Sequence, residues 1–269
     1  MVKNYKLTIC YDGTRYCGWE HQPGRDSVQG RIEMVLARMC GMDPLASEFF
    51  NDDPPVDLIG AGRTDAGVHA LAMTSSVKLD TEKVIFSSGQ KEKTVSTSEM
   101  RNYLNRYLPD DISVTEVHEA SDRFHARYNA AGKTYRYMIE DGPVKSVFDR
   151  RYITCLDRPL DTELMKEASR YIIGEHDFKS FCGNSRMKKS TVRLVDSLNI
   201  ERNRDRVIIT VHGSGFLQNM VRIMTGTLLE VGFAKKEPED MAGIIEARDR
   251  SKAGFTAPAQ GLCLMKVDY

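Results

Sequence analysis

Asp65 stands two residues after Arg63 inside a glycine-rich string, Gly60-Ala61-Gly62-Arg63-Thr64-Asp65-Ala66-Gly67-Val68-His69-Ala70, which directly follows the apolar run 56–59. Glycines admit backbone angles that other residues avoid and let a second chain approach closely. An acid in such a turn is kept out of a core, and an arginine nearby favours its ionised form. A charged carboxylate beside a place where a ligand can lie is a candidate nucleophile or general base. Asp and Gly are also ordinary turn residues, so the same types can spell an Asx turn with a surface ion pair. The complete string, rather than the Arg-x-Asp spacing, carries the chemical reading.

Other chemistries find little support. The six histidines show no metal-ligand spacing, and His69, inside the string, reads as a positioning residue. The six cysteines (Cys10, Cys17, Cys40, Cys155, Cys182 and Cys263) contain no Cys-x-x-Cys pair, against a disulfide scaffold or a zinc knuckle. Cys10, Cys40 and Cys263 lie in apolar-patterned segments and read as small core residues. No metal is therefore expected.

The elements that must position Asp65 follow from periodicity. Residues 5–11 alternate, with Leu7 and Ile9 on one face of a half-buried strand. Ser27 reads as the cap of a helix whose apolar stripe is Val28, Ile32, Val35, Leu36 and Met39, ending at Cys40-Gly41. Residues 43–55, acidic and with three prolines, read as a loop before a strand over 56–61. A strand over 74–79 follows, then a polar loop over 81–98, a helix capped by Ser98 and running to Tyr107, and a strand over 112–119. The second half repeats the style. A strand over 134–140 turns Tyr135, Tyr137 and Ile139 one way. Asp161 caps a helix with Leu164, Met165, Ala168, Tyr171 and Ile172 inward and Gly174 as its stop. Strands over 192–201 and 206–212 form a hairpin around Asn203-Arg204-Asp205. An apolar helix spans 217–232, Pro238 opens a short one, and a strand covers 261–267. Strands, helix and strands, twice over, describe an α+β protein of two units with mainly antiparallel sheets. No repeat is visible in the sequence itself.

With 269 residues, 41% hydrophobic and 28% charged, the chain has the composition of a soluble globular protein. No apolar run approaches the about 20 residues that span a bilayer, so no membrane partner is expected. The first five residues lead into a strand-like pattern without a signal-peptide core, which makes the cytoplasm the expected compartment. Net charge is +0, with 38 basic and 38 acidic side chains. That balance runs against a nucleic-acid partner, since such domains are commonly basic, although local field matters more than the sum. Residues 186–193 carry four cations, and 145–151 and 202–206 hold further basic clusters, each diluted by an Asp. The acids gather at 48–57 and 237–240.

The string GRTDAGVHA resembles the catalytic motif of the tRNA pseudouridine synthase A family, and the resemblance covers nearly the whole chain. Tyr11-Asp12-Gly13 with Gly18-Trp19, Ser27-Val28-Gln29, Leu108-Pro109-Asp110-Asp111-Ile112 and Phe124-His125-Ala126-Arg127 fall in the family's order. So do Tyr135-Arg136-Tyr137, Gly174-Glu175-His176-Asp177-Phe178, Phe216-Leu217-Gln218-Asn219-Met220-Val221-Arg222 and Gly261-Leu262 to the C-terminus. The resemblance implies two α+β subdomains, 1–125 and 126–269, sharing a mainly antiparallel sheet with helices packed on it and a central active-site cleft. It makes Asp65 the nucleophile or base, Arg222 the counter-charge of that carboxylate and Tyr135 the ring that stacks on the target base. Arg63 would grip phosphate or help extrude the nucleotide, and Leu262 would line the uracil pocket. The expected substrate is uridine at positions 38 to 40 of the tRNA anticodon stem-loop, the expected assembly a homodimer, with no cofactor. A paralogue acting on ribosomal RNA or another tRNA position, a catalytically silent RNA-binding module, and a hydrolase of small nucleosides stand as alternatives.

Overall fold

The computed structural model describes residues 1–42, 56–80, 82, 84 and 96–269, so the expected loop over 43–55 and most of that over 81–98 lie outside the described residues. The chain divides into two compact units, Met1–Ala130 with Tyr269, and Ala131–Asp268.

In the first unit, β1 (Val2–Tyr11) lies between β3 (His69–Asp80) and β4 (Ile112–Ala120), antiparallel to both, and β2 (Leu58–Gly60) pairs with β3. Tyr5, Leu7, Ile9 and Tyr11 are buried, as alternation along a half-buried strand demands. Helix α1 (Val28–Met39) starts where Ser27 Oγ accepts the Gly30 N–H at 3.2 Å and buries all five residues of its apolar stripe. It stops at Cys40, after which Gly41 takes φ +72. Two boundaries differ from expectation. Strand β3 begins at His69 rather than Thr74, because pairing of Tyr11 with Ala70 draws the end of the glycine-rich string into the sheet. Helix α2 (Thr97–Tyr107) is capped by Ser96 rather than Ser98. Ser96 Oγ accepts the Glu99 N–H while Glu99 Oε2 accepts the Ser96 N–H, a reciprocal box that a cap at Ser98 would lack, with Arg101 in the Glu position.

In the second unit, β5 (Gly132–Glu140) lies between β9 (Arg206–Gly213) and β10 (Leu262–Asp268), with β8 (Val192–Asn203) and β7 (Gly174–Asp177) beyond β9. These pairings are antiparallel; β6 (Thr154–Cys155) adds a short parallel pair to β5. The β8–β9 hairpin turns at Arg204-Asp205, with Arg204 at φ +55. Helix α3 (Thr162–Ser169) begins at Asp161, whose carboxylate accepts the N–H groups of Glu163 and Leu164. It ends earlier than expected: Tyr171 and Ile172 donate to Ala168 and Ser169, three residues back, and the tighter turn leaves Tyr171 exposed while Ile172 stays in the core. Leu164 is only half-buried, and Gly174, at φ +121, opens β7 instead of ending the helix. Helix α4 (Met220–Gly232) begins three residues later than periodicity implies, because Asn219 takes the left-handed φ of +58. Helix α5 (Asp240–Ala247) starts two residues after Pro238. Cys40 and Cys182 are buried, whereas Cys10 and Cys263 sit half-buried on the second faces of their strands, a partial correction to the core reading.

Candidate active site

The Asp65 loop is interlocked with the β1–α1 connection. Trp19 N–H donates to Thr64 O at 3.1 Å, Gly18 and Asp65 form an isolated antiparallel bridge, and Val68 N–H donates to Asp65 O at 3.1 Å. Gly67, at φ +79, permits the turn that closes residues 65 to 68. The Tyr11 hydroxyl hydrogen-bonds Thr64 Oγ1 at 2.8 Å in a buried contact. A side chain at Gly18 would place its Cβ 2.7 Å from Thr64 O, and one at Gly13 would lie 2.0 Å from Val68 O. These contacts fix the main chain on both sides of Asp65. The Asp65 residue is half-buried, neither sealed in the core nor on a freely solvated tip.

His69 is nearly fully buried at the loop's far end, its Nδ1 3.1 Å from Gly13 N and 3.2 Å from Asp12 Oδ1. The ring holds the loop to the β1–α1 connection in either state, accepting from Gly13 when Nδ1 is bare and donating to Asp12 when it is protonated. That is the positioning role expected of it. Arg63 is 62% exposed and pairs through Nη1 with Glu20 at 2.8 Å. The acid that the structure sets against Arg63 is thus Glu20, an exposed pair of small worth.

In the second unit, Tyr135 lies on β5 opposite Val211 of β9 and Leu264 of β10, almost buried, with Phe216 edge-on at 5.3 Å and 87°. Leu262, the first residue of β10, is buried opposite Tyr137. Arg222 is half-buried in the first turn of α4. Its Nε donates to Ala257 O at 2.7 Å and its Nη1 to Asn219 Oδ1 at 3.0 Å. A guanidinium so held does not snorkel along the surface; two acceptors aim it.

The register of that guanidinium is set one turn along α4. A Cβ at Gly226 would meet Phe255 O at 1.8 Å, so only glycine lets the 255–257 segment lie against the helix. Ala257 N–H then donates to Arg222 O at 3.0 Å, while its carbonyl receives Nε. Below Leu262, the Tyr137 hydroxyl bonds Thr154 Oγ1 at 2.7 Å and Pro258 O at 2.8 Å, and burial pushes its pKa well above the usual phenol range. The parts played by Tyr11, Gly18, Asn219, Gly226 and Ala257 escaped the sequence reading. Tyr11, Gly18 and Asn219 belong to the family-like motifs, but their partners are through-space neighbours.

The basic clusters divide. Arg202 is spent inside the fold, both Nη atoms on the buried Asp141 carboxylate at 3.1 and 2.7 Å. Arg206 pairs with Asp149. Arg186, Lys188 and Lys189 are exposed, and none of them enters an ion pair among the described residues. Among the described residues no His, Cys, Asp and Glu side chains gather as a metal-ligand group, and no helix is long and apolar enough to cross a membrane.

The family model for tRNA pseudouridine synthase matches residues 8–129 and 168–269, which include Asp65, Arg222 and Leu262. A "tRNA pseudouridine synthase A" of Bacillus sp. (strain KSM-64) is 44% identical over 269 residues, covering 100% of both chains. A protein of that name from Brevibacillus brevis and a "tRNA pseudouridine synthase A 2" from Clostridium tetani are each 40% identical, again over 100% of both chains. A solved chain in a Cbf5-Nop10-Gar1 complex aligns with 96% of this chain and 57% of its own length, at 11% identity and a TM-score of 0.34. The chain belongs to the tRNA pseudouridine synthase A family.

Proposed function

We propose that the protein isomerises uridine to pseudouridine in tRNA, at positions 38 to 40 of the anticodon stem-loop. The reaction breaks the N1–C1′ bond, turns the uracil and joins C5 to C1′; the proton on C5 leaves and N1 gains one, so no redox partner is needed. A base within its stack is out of reach, so the nucleotide must be turned outward. In this reading Asp65 acts on the everted nucleoside as nucleophile or base, and Arg222 supplies its counter-charge. Tyr135 stacks on the uracil, and Leu262 walls the pocket that keeps the detached base. Arg63 exchanges its weak bond to Glu20 for a phosphate, and the exposed cations at 186–189 hold the RNA backbone. The working form is a cytoplasmic homodimer.

The observation that carries the reading is the presentation of Asp65: a half-buried carboxylate whose backbone is bonded on either side, at Thr64 and Val68, in a family-matched segment. Preorganisation of this kind is what a carboxylate needs to act on a substrate at fixed distance. The test is tritium release from tRNA labelled at uridine C5, with pseudouridine mapped by carbodiimide modification. Asp65→Ala should abolish release while tRNA binding stays within about an order of magnitude, because phosphate contacts and chemistry are separable. Full activity in that variant would overturn the assignment. Modification confined to ribosomal RNA fragments would keep the chemistry and change the substrate.

A further inference from the structure

A recess of about 340 Å³ in the first unit is lined by side chains that the isomerisation reading leaves unused, among them Trp19, His21, His125, Arg127 and Tyr128. It is built from below. Glu33 of α1 is fully buried, with Oε2 2.8 Å from His21 Nδ1 and Oε1 accepting Gln29 Nε2 at 2.9 Å and Leu58 N–H at 3.2 Å. Gln29 closes the network, accepting the His21 N–H at 3.0 Å and donating to Leu58 O at 2.9 Å. A buried carboxylate persists only with such partners. Here it fixes the imidazole of a recess-lining histidine, with Nε2 the second polar atom of the ring. Burial pushes the Glu33 carboxyl up, and its bonds to His21, Gln29 and Leu58 oppose that rise.

A second feature points to the kind of ligand. Tyr128 is 80% exposed, yet its ring lies 4.2 Å from that of His125, tilted by 31°. The turn beneath is locked: His125 N–H donates to Asn129 Oδ1 at 2.7 Å, and His125 Nδ1 accepts the N–H groups of Arg127 and Tyr128 at 3.2 and 3.3 Å. An aromatic ring held on a rigid turn and left open to solvent is a stacking surface whose ordering cost is already met. The lining also mixes signs, with Glu20 and Asp57 beside Arg127. Glu20 is already matched by Arg63, and Asp57 stands against the single Arg127, so the lining holds no excess of positive charge for a phosphate. Such a lining suits a nucleobase, whose exocyclic amines donate and whose ring nitrogens and carbonyls accept.

We propose that this recess takes an unpaired nucleobase of the RNA substrate, other than the target uridine, stacked on Tyr128 with its edge read by His21 and the neighbouring carboxylates. The proposal rests on the RNA-modifying reading above and adds a second point of recognition to it. Its use would be to choose among uridines by a neighbouring unpaired base, a task that stacking on Tyr135 alone cannot perform.

The test uses the full chain and synthetic tRNAs, one intact and others each with a single abasic site at an unpaired position, with affinities read by fluorescence anisotropy. For the wild type, one abasic site away from the target should weaken binding by about tenfold, the scale of base-on-aromatic stacking. Tyr128→Ala should weaken binding of intact tRNA by a similar factor and show no further loss with that abasic RNA, while Tyr128→Phe keeps wild-type behaviour. The exposed position lets the alanine variant retain wild-type circular dichroism and melting. If Tyr128→Ala binds every RNA as the wild type does while the wild type releases tritium from tRNA, the recess proposal falls and the isomerase reading stands. If the wild type neither binds nor modifies any RNA, both fall.

Discussion

Replacing Gly18 by alanine tests whether the interlocked loop is what presents Asp65. Gly18 sits at φ +116, a conformation that side-chain-bearing residues rarely adopt. Backbone strain of this kind costs on the order of 1–3 kcal/mol. The added Cβ would also lie 2.7 Å from Thr64 O and 3.3 Å from Ala66 N and Asp65 C, all main-chain atoms that no rotamer change can clear. Reaching ordinary contact with Thr64 O requires a displacement of roughly 0.7 Å, and the segment that must move is the one bridged to Asp65. A misplacement near 1 Å can cost about 100-fold in rate. Gly18→Ala should therefore lower kcat/KM for tritium release by about 100-fold and leave tRNA affinity within about threefold, because the exposed cations at 186–189 are untouched and only Arg63, next to Thr64, lies in the displaced segment. Its melting temperature should fall by about 5 °C, from the strain alone. Gly24→Ala is the matched control. Gly24 also has positive φ, +70, but nothing lies within 4 Å of an added Cβ, so only about 1 kcal/mol of strain is introduced and activity should stay within twofold of wild type. Wild-type turnover by Gly18→Ala, or equal damage from Gly24→Ala, would refute the idea that the loop interlock positions the carboxylate.

Arg202→Ala strips the counter-charge from Asp141, whose side chain is 1% exposed, and leaves the buried carboxylate only the Leu160 N–H; the loss should cost about 3 kcal/mol, read as a lower urea midpoint with unchanged turnover per folded molecule. Lys188→Ala with Lys189→Ala should reduce the slope of log K against log salt for tRNA binding by about 1 for each phosphate no longer neutralised, measured from 50 to 200 mM salt; an unchanged slope would remove the 186–189 cluster from the RNA interface. For Glu33, burial raises the folded pKa above 4.5, so the folded state holds more protons in the window between the two values and stability falls as pH rises through it. Glu33→Gln should flatten that decline in urea titrations run upward from pH 4.5.

What the sequence made legible was local. Helix α1 was legible because its cap, stripe and stop are all written within residues 27–41. Strand β5 was legible because a strand buried on one face has to alternate. The Ser96 box was equally local, and was missed only because Ser98 is the same residue type two positions on. Strands β6 and β7, of two and four residues, carry no period to read; the sheets they join create them. At the site, Asp65 was found through an unusual string, but the groups that hold it were not. Tyr11 reaches Thr64 across 53 residues and Gly13 reaches His69 across 56. Arg222 was recognisable as a cation in an apolar helix that needed partners. That one partner is the carbonyl of Ala257, made reachable by a glycine at 226, follows only from the packing of two backbones.

The same distinction resolves the charge balance. A net charge of +0 counts every cation equally, but cations in this fold have different fates. Arg202 and Arg206 cancel Asp141 and Asp149 at short range, and such pairs contribute almost nothing to the field a Debye length away. Arg186, Lys188 and Lys189 are exposed within four residues of one another, with Arg193 nearby, and no ion pair neutralises these three among the described residues. A polyanion approaching the surface responds to that local excess, whereas the sum over the chain is set largely by acids placed elsewhere. Reversing Lys188 and Lys189 to glutamate should therefore weaken tRNA binding far more than reversing Arg206 together with its partner Asp149, which keeps a neutral pair in place. If the two changes weaken binding equally, the field at 186–189 is not what brings the RNA to the protein.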